Sequence, residues 1–308
     1  MQQKLSIPFN NNDTVSIALA VYNGEKYLPK LLESLNNQTI KPFELVVLDD
    51  CSSDNSLDVI KNYPLSFPKR IFSNTKNSGP VFTFKKLTEL CSGNFISFCD
   101  QDDIWLPEKV EKSLVEIKKI DAGTPGLVFT DLRVVDEQAN LLHSSFWAIR
   151  SIYPGLFSFT DILYGNIVTG CTIMINTAMS AELQKMPLNV IMHDWWMALI
   201  GFSFGEHRFV NEPTILYRSH GQSVTDKTKT NFIQVFKQEC KHNSNFLKEN
   251  ILQAAEFKKI YTLRLNKAMN RRLDGFLSLT GKGFFYKIFR RNLRSLQRRV
   301  KRSILSKH

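Results

Sequence analysis

Cysteine is scarce in this chain of 308 residues: Cys51, Cys91, Cys99, Cys171 and Cys240 are odd in number, widely spaced and without a Cys-x-x-Cys pair. That pattern argues against a disulfide framework or a structural zinc site and fits a reducing compartment. Long apolar runs are absent too. None reaches the roughly 18 residues of a membrane-spanning helix, and the opening MQQKLSIPFNNND lacks the continuous apolar stretch of a secretory signal. Neither G-x-G-x-x-G nor G-x-x-x-x-G-K-S/T occurs, which leaves dinucleotide and Walker-type phosphate binding without sequence support. Toward the end it is negative charge that disappears: residues 281–308 hold ten basic side chains and no acidic one.

What is present is a core. Apolar residues make up 43% of the chain and charged ones 22%, enough to bury a sizeable interior and too little charge for wholesale disorder. The formal charge of +11 is unevenly held. Residues 256–308 carry 16 basic and 2 acidic side chains, whereas residues 1–255 carry 24 basic and 27 acidic ones. The body is mildly acidic, so any attraction to a polyanion belongs to the tail.

Residues 14–21 (TVSIALAV) read as a buried strand, 28–37 as a helix with Leu28, Leu31, Leu32 and Leu35 on one face, and 43–48 (FELVVL) as a second strand. A helix over 56–62, a strand over 70–73, a helix over 82–90 and a strand over 94–99 (NFISFC) continue the alternation. A helix from Pro107 to about 120 and a strand over 127–131 follow. This order predicts an α/β fold, a mostly parallel open sheet flanked by helices, with ligands at the carboxyl ends of the strands. Beyond a less regular middle, 193–202 reads as helix, 208–217 as extended and 231–272 as helical.

Acids gather at those carboxyl ends. Asp100, Asp102 and Asp103 stand within four residues, and neighbouring carboxylates repel one another unless a hard divalent cation or a helix cap relieves them. Asp49 and Asp50 end the second strand in the same way and offer an acceptor to a base or a ribose hydroxyl, while Asp54 suits a turn or a cap. In His193-Asp194-Trp195-Trp196 a carboxylate opens an apolar, aromatic helix. Such a group is either a buried cap or a base that deprotonates a hydroxyl, with the indoles as a wall for a sugar. Arg218 and His220, in YRSHGQ, are placed for phosphate or metal, with an ordinary loop histidine as the alternative.

Taken in order, VYNGE (21–25), DDCSSDNS (49–56), DQDDIW (100–105) and HDWW (193–196) resemble the family 2 glycosyltransferases, inverting, metal-dependent enzymes of the GT-A fold that use nucleotide-diphospho-sugar donors. With LRVVDEQ, NIVTGCTIMIN and YRSHGQSV added, the pattern is most similar to bacterial rhamnosyltransferase-like members, which build O-antigen, capsule or other surface polysaccharides. The resemblance covers about residues 14–225 and implies a role for each matching position. Ala20 and Tyr22 line the nucleobase pocket with Glu25 close by, and Asp50 accepts the pyrimidine N–H. Asp102 is the direct ligand of a Mn2+ or Mg2+ ion, Asp100 lies nearer ribose or metal, and Asp194 is the base. His220 approaches metal or diphosphate, and Arg218 the donor. Gly170 and Trp195 face donor sugar or acceptor. The chain departs from the family pattern at 80–84 (PVFTF), where Lys85 is a weak substitute for the usual polar residue.

The implied reaction moves a sugar, by this subfamily L-rhamnose from dTDP-L-rhamnose and by the alternative a hexose from a UDP-hexose, to a glycan or lipid-linked glycan. A nucleotidyltransferase normally opens with a glycine-rich basic loop, and VYNGEKYLP is none; a non-catalytic assembly protein would not need Asp102 and Asp194. The expected organisation is a catalytic domain over 1–225 and a helical extension over 226–308. In its tail Phe285, Phe289, Leu293, Leu296, Val300 and Ile304 recur at helical spacing among arginines. That face suits an anionic membrane surface, or else packing on protein; nothing in it suits nucleic acid. The expected location is the cytoplasm, peripheral at the inner face of the cell membrane, with a homodimer left open.

Overall fold

The computed structural model describes residues 13–219 and 247–305. Its first half is the alternation read above: β1 (Val15–Val21), α1 (Leu28–Asn36), β2 (Glu44–Asp49), α2 (Ser56–Asn62), β3 (Lys69–Ser73), α3 (Gly79–Leu90) and β4 (Phe95–Asp100). These strands pair in parallel in the order β3-β2-β1-β4. Side chains alternate across the sheet as a period of two requires. Ile17, Leu19, Leu45 and Val47 pack with the leucines of α1, while Ala18, Val46, Leu48 and Phe98 pack on the opposite face with Phe84 and Leu87 of α3. Both faces are therefore dry, which is why these strands read as unbroken apolar runs.

The second half departs from the expected simple open sheet. It adds β5 (Ile104–Trp105), α4 (Lys109–Ile117), β6 (Gly126–Val135), β7 (Leu141–His143), α5 (Phe146–Arg150), α6 (Phe159–Tyr164), β8 (Met174–Asn176), α7 (Thr177–Leu183), α8 (His193–Gly201) and β9 (Glu206–Arg218). The order continues β4-β8-β6-β9-β5, with β8 antiparallel to both neighbours and β5 antiparallel to β9, so the sheet is mixed. It also curls. In a flat sheet β4 and β5 would lie about 19 Å apart, four strand spacings, yet the four-residue step from Asp100 to Ile104 spans at most about 14 Å. The sheet closes toward a half-barrel around the segment that carries the acids.

Three helices follow, Lys248–Tyr261, Lys267–Leu277 and a terminal helix, Phe284–Leu305. Of the helical stretch expected over 231–272, residues 231–246 lie outside the described residues; the rest breaks before Asn266, whose side chain caps the second helix by accepting from the Met269 amide at 2.9 Å. Phe257, Leu273 and Phe276 join Trp196 and Phe159 in the same apolar cluster that covers one face of the sheet. The boundary expected at 225/226 lies outside the described residues. No described helix is long and apolar enough to cross a membrane.

Candidate active site

Register brings the first set of expected residues to one rim. Val21 pairs with Asp49, and Ala20 with Asp100, so Ala20, Asp50 and Asp100 share the carboxyl edge of β1, β2 and β4. The loop after β1 is clamped there. Asn23, at φ 51, accepts from the Ser53 amide at 2.8 Å, the Gly24 amide donates to Ser56 Oγ at 2.8 Å, and Glu25 accepts from both the amide and the side chain of Asn55 at 3.1 and 2.9 Å. Gln101 grips Tyr22 on both sides, its Oε1 accepting from the Tyr22 amide at 2.7 Å and its Nε2 donating to the Tyr22 carbonyl at 2.8 Å. A Cβ on Gly24 would lie 2.4 Å from Gln101 Oε1, which explains the glycine. Glu25 thus serves the loop, and the Tyr22 ring, 47% exposed, stands free on the rim. Gln101→Ala removes two hydrogen bonds worth about 1 kcal/mol each; the expected result is a donor KM raised several-fold with kcat nearly unchanged, measured by steady-state kinetics.

Asp50 is largely occupied. Its Oδ1 accepts from Asn74 Nδ2 at 2.7 Å and the Ser78 amide at 2.8 Å, and its Oδ2 from the Gly79 amide at 2.8 Å, which ties the start of α3 to the end of β2. One lone pair on Oδ2 is left for a base N–H. Lys85, the substitute considered for a ribose contact, instead donates to the Met186 carbonyl at 2.7 Å.

Asp100, Asp103 and Cys171 bring ligand atoms within 4.8 Å of one another. Asp103 is 1% exposed, and apart from the weak donor of the Cys171 thiol its carboxylate oxygens have no hydrogen-bond partner. Burial, reinforced by Asp102 and Asp194, raises Asp100 to about 7; burial, with Asp102 and Asp100, holds Asp103 well above the usual carboxylate range. Lys109 is fully buried below, 3.3 Å from Ser97 Oγ and 4.2 Å from the Trp105 ring, and burial lowers it to about 8. Orphaned buried oxygens beside crowded carboxylates are what a divalent cation would satisfy, so the donor set fits one. The expected direct ligand, Asp102, is not one of the three clustered residues; Cys171 was missed because nothing in its local sequence marks it.

Asp194 opens α8 beside this cluster. A Cβ on Gly170 would lie 3.2 Å from His193 Nε2 and 3.7 Å from Asp194 Oδ2, so Gly170 lets the turn over Gly170–Thr172 close onto the helix start. Burial raises Asp194 to about 7, against the pull of the Trp195 and Gly170 amides and the Asn166 side chain. His193 stacks beside Phe84 and Phe98, at 4.2 and 5.7 Å, and burial depresses it to about 3, so it is neutral. The paired indoles divide. Trp196 is fully buried against Phe257 and cannot meet a sugar, which corrects the reading of two indoles as a wall. Trp195 is half-buried, its Nε1 donating to the Ile162 carbonyl at 2.7 Å.

Arg218 is 2% exposed, lies 5.5 Å from the Tyr27 ring and donates to the Glu137 carbonyl at 2.6 Å. In the sheet Arg218 pairs with Val135 of β6. His220 lies outside the described residues.

Residues 16–180 match the family described as Glycosyl transferase family 2. The chain is similar to chondroitin synthase of Escherichia coli, 34% identical over 44% of this chain and 20% of that protein. It therefore spans about a fifth of that relative's length. It is also similar to dTDP-rhamnosyl transferase RfbG of Shigella flexneri, 27% identical over 68% of this chain and 76% of that one. Among solved structures, S. aureus TarS 1–349 in complex with UDP-GlcNAc superposes with a TM-score of 0.61 at 19% identity, covering 86% of this chain and 71% of that one, a likeness of fold.

Proposed function

The chain belongs to glycosyl transferase family 2, and on that premise we propose that it transfers a sugar, with inversion, from a nucleoside diphospho-sugar to a hydroxyl of a glycan or lipid-linked acceptor in surface polysaccharide synthesis. The observation that carries the reading is Asp194, fixed at the start of α8 beside the acidic rim and raised to about 7, where a general base works best near neutral pH. The acceptor oxygen attacks the anomeric carbon, Asp194 takes the hydroxyl proton, and the bond to the nucleoside diphosphate breaks on the opposite face. One displacement with no covalent intermediate inverts the configuration.

Asp100, Asp103 and Cys171 would hold a divalent cation, with Asp102 as the further ligand that the family resemblance assigns. Such an ion supplies positive charge against the departing diphosphate. Two carboxylates suit Mg2+ and Mn2+ alike, and a thiol suits Mn2+ better. Ala20, Tyr22 and the free lone pair of Asp50 would receive the pyrimidine, Arg218 would serve the donor side from its place against Tyr27, and Gly170 and Trp195 would border the sugar. His220 keeps its proposed place near metal or diphosphate.

For the donor we place a UDP-hexose first, supported by the UDP-GlcNAc held by TarS on a similar fold. dTDP-L-rhamnose is the second reading, favoured by the similarity to RfbG. An acceptor at the inner face of a membrane is supported by the basic terminal helix. The test is a panel of UDP- and dTDP-sugars with Mn2+ or Mg2+, reading release of the nucleoside diphosphate. Turnover of one UDP-hexose, faster with Mn2+, is the expected result; turnover of dTDP-L-rhamnose alone selects the second reading, and turnover of no donor refutes both.

A further inference from the structure

The terminal helix sits on the body in an orientation opposite to that of an ordinary surface helix. Part of its charged side is docked, together with Ile288. Arg298 pairs with Asp161 at 2.5 Å and lies 4.4 Å over the Phe157 ring, Arg302 lies 3.9 Å over Tyr153, and Lys287 is buried. Its apolar side faces out. Phe289, Leu293, Leu296 and Val300, at intervals of three and four, are 60%, 39%, 56% and 52% exposed. The helix is 22 residues long with eight basic side chains and no acidic one.

Beside this stripe lies a cleft of about 230 Å³ lined by Arg271, Arg272, Arg290 and Arg294, with Thr160 and Tyr164. No carboxylate among the described residues pairs with any of these four arginines. Thr160 is 4% exposed, and its hydroxyl is buried without a hydrogen-bond partner. Guanidinium groups crowded around one cleft repel one another, and an unpaired buried hydroxyl is costly; an anion rich in acceptor oxygens relieves both.

We propose that the arginine cleft and the outward stripe together form a phospholipid site: the cleft takes the phosphate of an anionic membrane lipid while Phe289, Leu293, Leu296 and Val300 enter the acyl boundary. A helix that joins an apolar face to flanking arginines is built for that interface. A second copy of the chain is a poor occupant, since meeting stripe to stripe it would bring together two arginine-lined clefts that have no carboxylate partner. Nucleic acid gives the apolar stripe nothing to contact. The inference rests on the proposed membrane-held acceptor for its purpose, and its test needs no donor or acceptor.

The full chain is sedimented with vesicles of phosphatidylcholine, alone or with one third phosphatidylglycerol. The expected result is a strong preference for the anionic vesicles. R290Q/R294Q lowers affinity for them by about thirtyfold, at roughly tenfold or less per arginine, with little change on phosphatidylcholine. L293S/L296S lowers binding to both by at least about tenfold. R271Q/R272Q, on the neighbouring helix, repeats the arginine effect and guards against a misfolded terminal helix. Wild-type indifference to anionic lipid overturns the proposal, as do arginine variants that bind like wild type. So does a dimer in sedimentation equilibrium that L293S/L296S dissolves, or an affinity for inorganic phosphate alone equal to that for vesicles. A chain that binds anionic vesicles yet turns over no donor in the panel leaves this site standing and the transferase reading fallen.

Discussion

Asp194→Asn is expected to lower kcat about a thousandfold while leaving the affinity for nucleoside diphosphate within about twofold, because a positioned base contributes roughly two to four powers of ten. The amide keeps the size of the carboxylate beside Gly170, so α8 and its core contacts survive. The pH profile gives the same residue a second signature. Burial raises Asp194 to about 7 from its ordinary 3.8, and only the deprotonated form accepts a proton. The wild-type rate therefore falls tenfold per unit as pH drops below about 7 and levels off above it. Positive charge bound at the neighbouring cluster favours the carboxylate, so saturating Mn2+ moves that limb to lower pH. The variant shows no such limb. A kcat within threefold of wild type for Asp194→Asn would remove this residue as the base.

The second large effect concerns stability. In the metal-free protein the folded state raises Asp100 and Asp194 to about 7 and Asp103 well above the ordinary value, so it binds protons more tightly than the unfolded chain. The contribution of Asp100 and Asp194 is fully present below about pH 4 and is lost as pH rises through about 7. The chelated protein should accordingly melt lower at pH 8 than at pH 6. A cation binds the deprotonated cluster, so added Mn2+ raises Tm by about 5 °C or more at pH 8 and much less at pH 6. Asp103→Asn removes the cost of burying a carboxyl group there: the chelated variant melts above chelated wild type at pH 8, its Mn2+ shift disappears, and its turnover falls by about a hundredfold or more. Asp102→Ala decides between ligand sets. A retained Mn2+ shift leaves Asp100, Asp103 and Cys171 as the site, and a lost one adds Asp102. Differential scanning fluorimetry with and without chelator reads all of these, and an equal Mn2+ shift in Asp103→Asn and wild type would exclude the cluster.

The parallel half of the fold was legible because each of its determinants is local. The unbroken apolar runs of β1 and β2, the leucine face of α1 and the acid pairs at the strand ends are all written in short stretches of chain. The site was legible only where it reuses those ends. Gln101 grips Tyr22 across 79 residues, and Cys171, on the turn over Gly170–Thr172, meets Asp103 from a distant part of the chain, a juxtaposition that neither local stretch shows. Asp50 looked like a free acceptor, and the distant amides of Ser78 and Gly79 now hold most of it.

By itself the sequence determined the alternating α/β order, the family, the acidic rim and the amphipathic terminal helix, since composition and period act along the chain. Only the tertiary structure decided which acids share one cluster, which tryptophan is spent in the core and which face of the terminal helix looks outward. Those choices depend on what packs from the opposite side. The same stripe of Phe289, Leu293, Leu296 and Val300 would read identically turned inward; Asp161, Phe157 and Tyr153 engage the arginines instead and leave it exposed.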